Sequence, residues 1–209
     1  MLSELEYAAY YTYSPRGRSE LSRKSRQLVG AIKSWDAGAA RDLIARLAGD
    51  PAGECVREFF PAGAILVPAP RSTPIVAGGL WPALEICKVL VELGIGNGIA
   101  RIVERVKPVT KSAFASPGNR PTIQAHYETL KAKTDLLTTG PFVIVDDFVT
   151  KGATLMAAAR RIHEKVPKAL VRGFALVRTM GFVPDVEAIV GPVVGMITTD
   201  LADEPWREP

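Results

Sequence analysis

The stretch Phe142-Val143-Ile144-Val145-Asp146-Asp147-Phe148-Val149-Thr150-Lys151-Gly152-Ala153-Thr154 constrains the fold more than any other part of the chain. Four consecutive apolar residues run into two carboxylates, a five-residue turn follows, and a helix-compatible run begins at Gly152. An apolar run of this length bounded by turn signals reads as a strand buried on both faces of a parallel sheet. Adjacent aspartates do not belong in that interior, because an unpaired buried charge is prohibitively costly. Their place is the strand's carboxyl end, facing a crevice. The turn then brings small and hydroxyl residues to the start of a helix, where backbone N–H groups are free to receive an anion. Acids at a strand end and an anion nest one turn later describe a receptor for a phosphorylated sugar.

The preceding sequence supplies a sheet for that strand. Tyr7, Tyr10, Tyr11 and Tyr13, before Pro15 and Gly17, suit a short strand or hairpin arm. From Ser19 to Trp35 the residues Leu21, Leu28, Val29, Ile32 and Trp35 recur at helical spacing. Asp36 is placed to cap a second helix with Leu43, Ile44 and Leu47 on its apolar face, so this segment reads as a helical prelude. Ala64 to Pro68 is the first core strand, and the loop Ala69 to Pro74 after it is stiffened by prolines and carries Arg71 and Ser72, which suit an anion. A helix from about Leu80 to Leu93 and a strand from Ile99 to Val106 complete a right-handed parallel unit, the repeating piece of an open α/β sheet.

Residues 107–139 form a long basic excursion broken by Pro108, Pro117, Gly118 and Pro121, with a helical pattern from Thr122 to Lys133. After the Asp-Asp segment, the helix from Gly152 to Val166 turns Leu155, Met156, Ala159, Ile162 and Val166 to the sheet, and Arg172 to Val177 reads as another strand. Val186 to Ile197 suggests one or two short strands outside the main sheet, ahead of a polar tail. Gly94-Ile95-Gly96-Asn97-Gly98 follows a helix and precedes a strand, the reverse of what a dinucleotide-binding turn requires. His126 and His163 lack partners at ligand spacing and read as solvated residues.

Composition narrows the class. A chain of 209 residues, 47% of them hydrophobic, buries a sizeable core and reads as one domain. No stretch approaches ~18 uninterrupted apolar residues, which argues against a membrane span. The acidic start Met1 to Glu6 does not resemble a secretory signal, and Cys55 and Cys87 lack metal or redox spacing. The expectation is a cytoplasmic protein with reduced thiols. The net charge of +4 is concentrated in Arg16, Arg18, Arg23, Lys24, Arg26 and Lys33, and again between Arg101 and Lys133. Such surfaces attract polyanions, pyrophosphate or nucleic acid, although the first cluster also reads as an ordinary solvated helix face.

The segment Asp146 to Thr154 resembles the signature of type I phosphoribosyltransferases: apolar residues, an acidic pair, then a hydroxyl-rich turn ending in Gly-x-Thr. The order of Tyr11 to Tyr13, Gly30 to Lys33, Ala40 to Leu47, Val67 to Pro70 and the Asp-Asp segment is most similar to the phosphoribosyltransferase-like domain of the ComF competence family. The resemblance implies an α/β fold, an open, mainly parallel twisted sheet with helices on both faces and a small hood. Residues 1–62 would form an N-terminal helical or hood segment, 63–180 the α/β core, and 181–209 the C-terminal hood strands and tail. It further implies that Asp146 and Asp147 hold the ribose hydroxyls of phosphoribosyl pyrophosphate (PRPP), and that Thr150, Lys151, Gly152, Ala153 and Thr154 wrap its 5′-phosphate. Arg71, Ser72, Lys107 and Lys111 would meet the pyrophosphate, and residues 107–139 would be the loop that closes over PRPP. Mg²⁺ is the implied cofactor, held mainly by PRPP near Asp146 and Asp147 rather than by direct protein ligands.

Three features depart from the family pattern. Lys151 stands where a Thr is usual, the cysteine-rich zinc module that often precedes the ComF-type domain is absent, and the excursion lacks the usual Thr-x-x-Gln and Arg-x-x-Asn residues. Two functions therefore stand side by side. One is a Mg²⁺-dependent transfer of ribose 5-phosphate from PRPP to a nucleobase-like nitrogen acceptor. The other is a non-catalytic protein on the same fold that senses PRPP or a nucleotide or binds single-stranded DNA. Oligomeric state stays open between a monomer and a homodimer.

Overall fold

Phe142, Val143, Ile144 and Val145 are completely buried, as a strand covered on both faces must be. The computed structural model describes residues 2–35, 37–75, 78–109, 121–133, 140–181 and 183–208. Strand β1 (Glu4–Tyr13) leads into helices α1 (Glu20–Ser34) and α2 (Ala37–Gly49) and, after a 3-10 turn at Pro51–Gly53, α3 (Glu54–Phe59). β2 (Ile65–Pro68), α4 (Pro82–Glu92) and β3 (Gly98–Ile99) follow, then β4 (Val103–Arg105), α5 (Ile123–Glu128) and β5 (Leu130–Ala132). The chain closes with β6 (Phe142–Val149), α6 (Ala153–Lys165), β7 (Val171–Thr179), β8 (Val190–Thr199) and β9 (Pro205–Arg207).

The main sheet has seven strands in the order β3-β2-β6-β7-β1-β8-β9, and β4 and β5 form a separate two-stranded ladder. β3, β2, β6, β7 and β1 run parallel, while β8 and β9 pair antiparallel. The fold is therefore α/β with a mainly parallel sheet, as the buried signature strand requires. Period-two alternation divides the core. Ala8, Tyr10, Leu66, Val143, Val145 and Phe174 pack with Val29, Ile32, Ile44, Leu47, Ile86 and Leu90 from α1, α2 and α4. Tyr7, Ala9, Phe142, Ile144 and Ala175 pack on the other face with Leu155, Met156, Ala159 and Ile162 of α6.

Strand order also locates the crevice. From β2 the chain crosses to β3 on one side, whereas from β6 it crosses to β7 on the other. The carboxyl ends of β2 and β6 therefore flank the point where the winding reverses, where open α/β sheets hold ligands. Hydrogen bonds from Ala69 N to Val145 O (2.8 Å) and from Trp81 Nε1 to Ala69 O (2.8 Å) anchor the start of the proline-rich loop beside that point.

Four features differ from the sequence-based expectations. The tyrosine-rich start, expected as a short strand or hairpin arm, is a ten-residue strand inside the sheet, between β7 and β8. Burial of Tyr7, Tyr10 and Tyr11 is tolerated because each of these hydroxyls finds an acceptor: Tyr7 at Glu208 O (2.9 Å), Tyr10 at Asp50 Oδ2 (2.7 Å) and Tyr11 at Leu43 O (2.8 Å). The C-terminal strands β8 and β9 join the main sheet instead of standing outside it, because β8 pairs along nearly the whole of β1. The expected strand Ile99 to Val106 divides between two sheets, Ile99 pairing with β2 and Val103 to Arg105 with β5. The expected helix from Thr122 stops at Glu128, and the chain then turns into β5. Asp36 lies outside the described residues.

The core and the hydroxyl anchors are separable in their energetics. Phe174→Ala, which empties a fully buried aromatic site, is expected to cost about 3–5 kcal/mol. Tyr11→Phe, which removes only the hydrogen bond to Leu43 O, should cost about 1 kcal/mol. Urea unfolding of the two variants measures both.

Candidate functional site

The sheet presents the carboxyl end of β6 to a cavity of about 650 Å³. Asp146, Phe148, Val149 and the turn Thr150 to Thr154 line it, with Tyr13, Lys33, His126 and Thr179 from neighbouring elements and Glu204 and Pro205 from the C-terminal segment. β6 extends to Val149 rather than ending at Val145, because β7 supplies partners through Arg178. The acidic pair is thus built into the last part of the strand, and the connection to α6 is compressed to Thr150, Lys151 and Gly152.

Each carboxylate accepts from the next backbone amide: Asp146 Oδ1 from Asp147 N and Asp147 Oδ1 from Phe148 N, both at 2.9 Å. Both residues are half-buried. Burial, and then the charge of Asp147 beside it, hold the Asp146 carboxyl well above the usual carboxylate range. Two acids crowded in this way are poised for groups that relieve the repulsion, such as donating hydroxyls or a cation.

Gly152 makes the turn possible. It adopts φ 94° and ψ 9° as the N-cap of α6, with no side-chain cap. A Cβ there would stand 2.5 Å from Ile197 Cδ1. Glycine therefore satisfies both the left-handed backbone and the close approach of β8. The uncapped first turn of α6 directs amide donors and the positive end of the helix dipole to the residues that line the cavity.

The C-terminal segment is strapped against this turn. Arg160 on α6 makes a bidentate pair with Asp203 (2.8 and 2.6 Å) and donates to Leu2 O (2.8 Å). Arg207 donates to Thr150 O (2.8 Å), Tyr7 Oη (2.7 Å) and Thr179 O (3.0 Å). Between these anchors, Glu204 comes within 3.6 Å of Lys151 Nζ. Lys151 thus has a carboxylate partner within the chain.

The proposed pyrophosphate residues occupy a different position. Arg71 and Ser72 are half-buried in the loop after β2 and are not among the cavity's lining residues. Arg71 O accepts from Arg105 Nε, and Ser72 O from Val109 N at 2.8 Å. Lys107 is exposed in the same neighbourhood, and Lys111 lies outside the described residues, as does most of the expected closing loop. Of the basic cluster at residues 16–33, Lys33 reaches the site, 5.2 Å from the Phe148 ring centroid. Arg26 is instead bound to Ser14 O and Gly17 O, and Lys24 pairs with Glu20. Among the described residues, no group of three or more His, Cys, Asp or Glu side chains gathers as a metal cage.

Two residues escaped the sequence reading. His126, expected to be solvated, is 4% exposed, and Arg105 is 6% exposed. Arg105 Nη2 lies 3.0 Å from His126 Nδ1, and Arg105 also donates to Thr129 Oγ1. Burial, reinforced by the Arg105 charge, pushes His126 down to about 4, and burial pushes Arg105 down to about 10. The one available signal was alternation: Arg105 shares a strand face with the buried Val103.

Gly152→Ala is expected to destabilise by about 2–4 kcal/mol through backbone strain and the clash with Ile197, as measured by denaturant unfolding. Stability should also respond to pH in opposite senses at His126 and Asp146. Unfolded His126 binds a proton near pH ~6.5, but the folded imidazole does so only near about 4. Its contribution is complete above pH ~6.5 and is lost as pH falls toward 4, by about 3 kcal/mol. The raised Asp146 carboxyl contributes below its ordinary value and loses that contribution as pH rises through the elevated one. His126→Gln should therefore flatten the acid side of a plot of urea midpoint against pH, and Asp146→Asn should raise the midpoint at pH 8.

No protein-family model matches this sequence, and no curated protein matches it. Among solved structures the chain is similar to a hypoxanthine phosphoribosyltransferase from Staphylococcus aureus, with a TM-score of 0.37 and 14% identity over 71% of this chain and 70% of that one. No helix among the described residues is long and apolar enough to cross a membrane.

Proposed function

We propose that this chain binds PRPP with Mg²⁺ and transfers its ribose 5-phosphate to a nitrogen of a nucleobase-like acceptor. The observation that carries the reading is the convergence of Asp146 and the uncapped, glycine-led start of α6 on one cavity. The α6 amides and the hydroxyls of Thr150 and Thr154 receive the 5′-phosphate, and Asp146 and Asp147 accept from the ribose hydroxyls. Displacing diphosphate from the anomeric carbon builds positive charge on the ribose ring, so the sugar must be held rigidly while carboxylates stand near the developing charge.

The adjacent carboxylates are hard oxygen donors and fit a Mg²⁺ that the ligand's phosphates hold in the main; when bound, it neutralises the departing diphosphate. Tyr13 and Phe148, whose rings meet edge to face with centroids 6.4 Å apart, offer a planar acceptor an aromatic wall beside Lys33. Arg71, Ser72 and Lys107, on the β2 side, remain proposed contacts for pyrophosphate, as does Lys111.

The pairing of Lys151 with Glu204 supports a second reading, a PRPP or nucleotide sensor without turnover. It places a carboxylate among the lining residues of a phosphate site. Calorimetric titration separates the possibilities. PRPP with Mg²⁺ should bind tighter than ~1 mM, and Asp147→Asn should weaken it at least about tenfold through loss of charged hydrogen bonds. Consumption of PRPP with one of a panel of bases identifies the transferase, and binding without consumption identifies the sensor. Binding only to a DNA oligomer, with affinity that falls steeply as salt rises, would replace both readings.

A further inference from the structure

The His126 side chain has an unexplained polar atom. His126 is one of the residues that line the cavity with Asp146, and its Nε2 is buried without a hydrogen-bond partner. The opposite nitrogen is occupied: Nδ1 faces Arg105 Nη2 at 3.0 Å, and a guanidinium can only donate. Nδ1 is therefore the acceptor, and the ring proton resides on Nε2. A buried N–H without an acceptor is costly, and such groups in native proteins call for an explanation.

We propose that His126 Nε2–H is a ligand contact that donates to an anionic oxygen of the diphosphate of PRPP, with Arg105 as the residue that fixes the donor tautomer. This rests on the phosphoribosyl reading of the site. Within that reading the 5′-phosphate is taken by the α6 turn and the hydroxyls by the acidic pair, which leaves the diphosphate for the side of the cavity nearest the β2 loop. Arg105 links His126 to that loop through Arg71 O. The Arg105 charge behind the ring favours an anionic acceptor in front of it. Burial keeps the imidazole neutral at pH 7, so the contact is a directed hydrogen bond rather than an added charge.

The test compares PRPP, inorganic pyrophosphate and ribose 5-phosphate, each with Mg²⁺, on the unsubstituted protein, His126→Leu and His126→Gln. His126→Leu should weaken PRPP and pyrophosphate about 10–100-fold and leave ribose 5-phosphate within about threefold, because the lost bond is to a charged group on the diphosphate. His126→Gln keeps an amide donor and should restore most of the loss. Equal affinities for PRPP in all three proteins would overturn the role of His126 while leaving the phosphoribosyl reading intact. Failure of the unsubstituted protein to bind PRPP would overturn both.

Long-range ¹⁵N correlation spectra of the unsubstituted protein provide a readout independent of any folding defect, since the chain has 2 histidines. The spectrum should show the Nε2–H tautomer of His126, with its proton moving downfield on saturation with pyrophosphate. Arg105→Met should release Nδ1 and populate both tautomers. An Nδ1–H tautomer in the free protein, or an Nε2 proton that saturation leaves in place, contradicts the proposal.

Discussion

The backbone leaves β6 under two constraints that the rest of the site depends on. A strand buried on both faces cannot carry charge until it reaches the edge of the sheet, so Asp146 and Asp147 occupy its carboxyl end. The chain must then turn at once into α6, which packs on the same sheet, and a left-handed residue pressed against Ile197 makes that turn. Only glycine meets both conditions at position 152. The consequence is electrostatic: the Asp146 carboxyl and the helix amides left without a side-chain cap, opposite in character, come to one cavity a few residues apart. A ligand with hydroxyls at one end and a phosphate at the other suits such a pair.

The surroundings keep this arrangement in tension. Asp146 is crowded by Asp147, and His126 carries a buried donor without an acceptor. Neither optimises folding. The strap built from Arg160, Asp203 and Arg207 holds the C-terminal segment in place, so the cavity keeps its shape while its interior groups stay under-satisfied. Destabilised groups gathered at one strand end, beside the reversal of winding, separate a binding site from an ordinary turn.

The parts of this architecture that local pattern encodes were readable from the sequence. The runs Phe142 to Val145, Arg172 to Val177 and Gly152 to Val166 announce two strands and a helix by apolar run and helical spacing, and the acidic pair announces the strand end. Nonlocal pairing hid the rest. The tyrosines of β1 look amphipathic because the acceptors of Tyr7, Tyr10 and Tyr11 come from distant parts of the chain. β8 is disguised by Gly191 and Pro192, which fall where its register with β1 shifts between Ala9 and Tyr11. His126 looks solvated on its short helix because its partner, Arg105, arrives from β4 across the excursion.

The central claim is that the end of β6 and the start of α6 form one receptor for a ribose phosphate. A crystal structure of the protein with ribose 5-phosphate tests it most directly. The account predicts the phosphate against the backbone amides of residues 151–154, with the 2′ and 3′ hydroxyls donating to Asp146 and Asp147. A phosphate bound elsewhere, or a sugar turned away from the acidic pair, would contradict it.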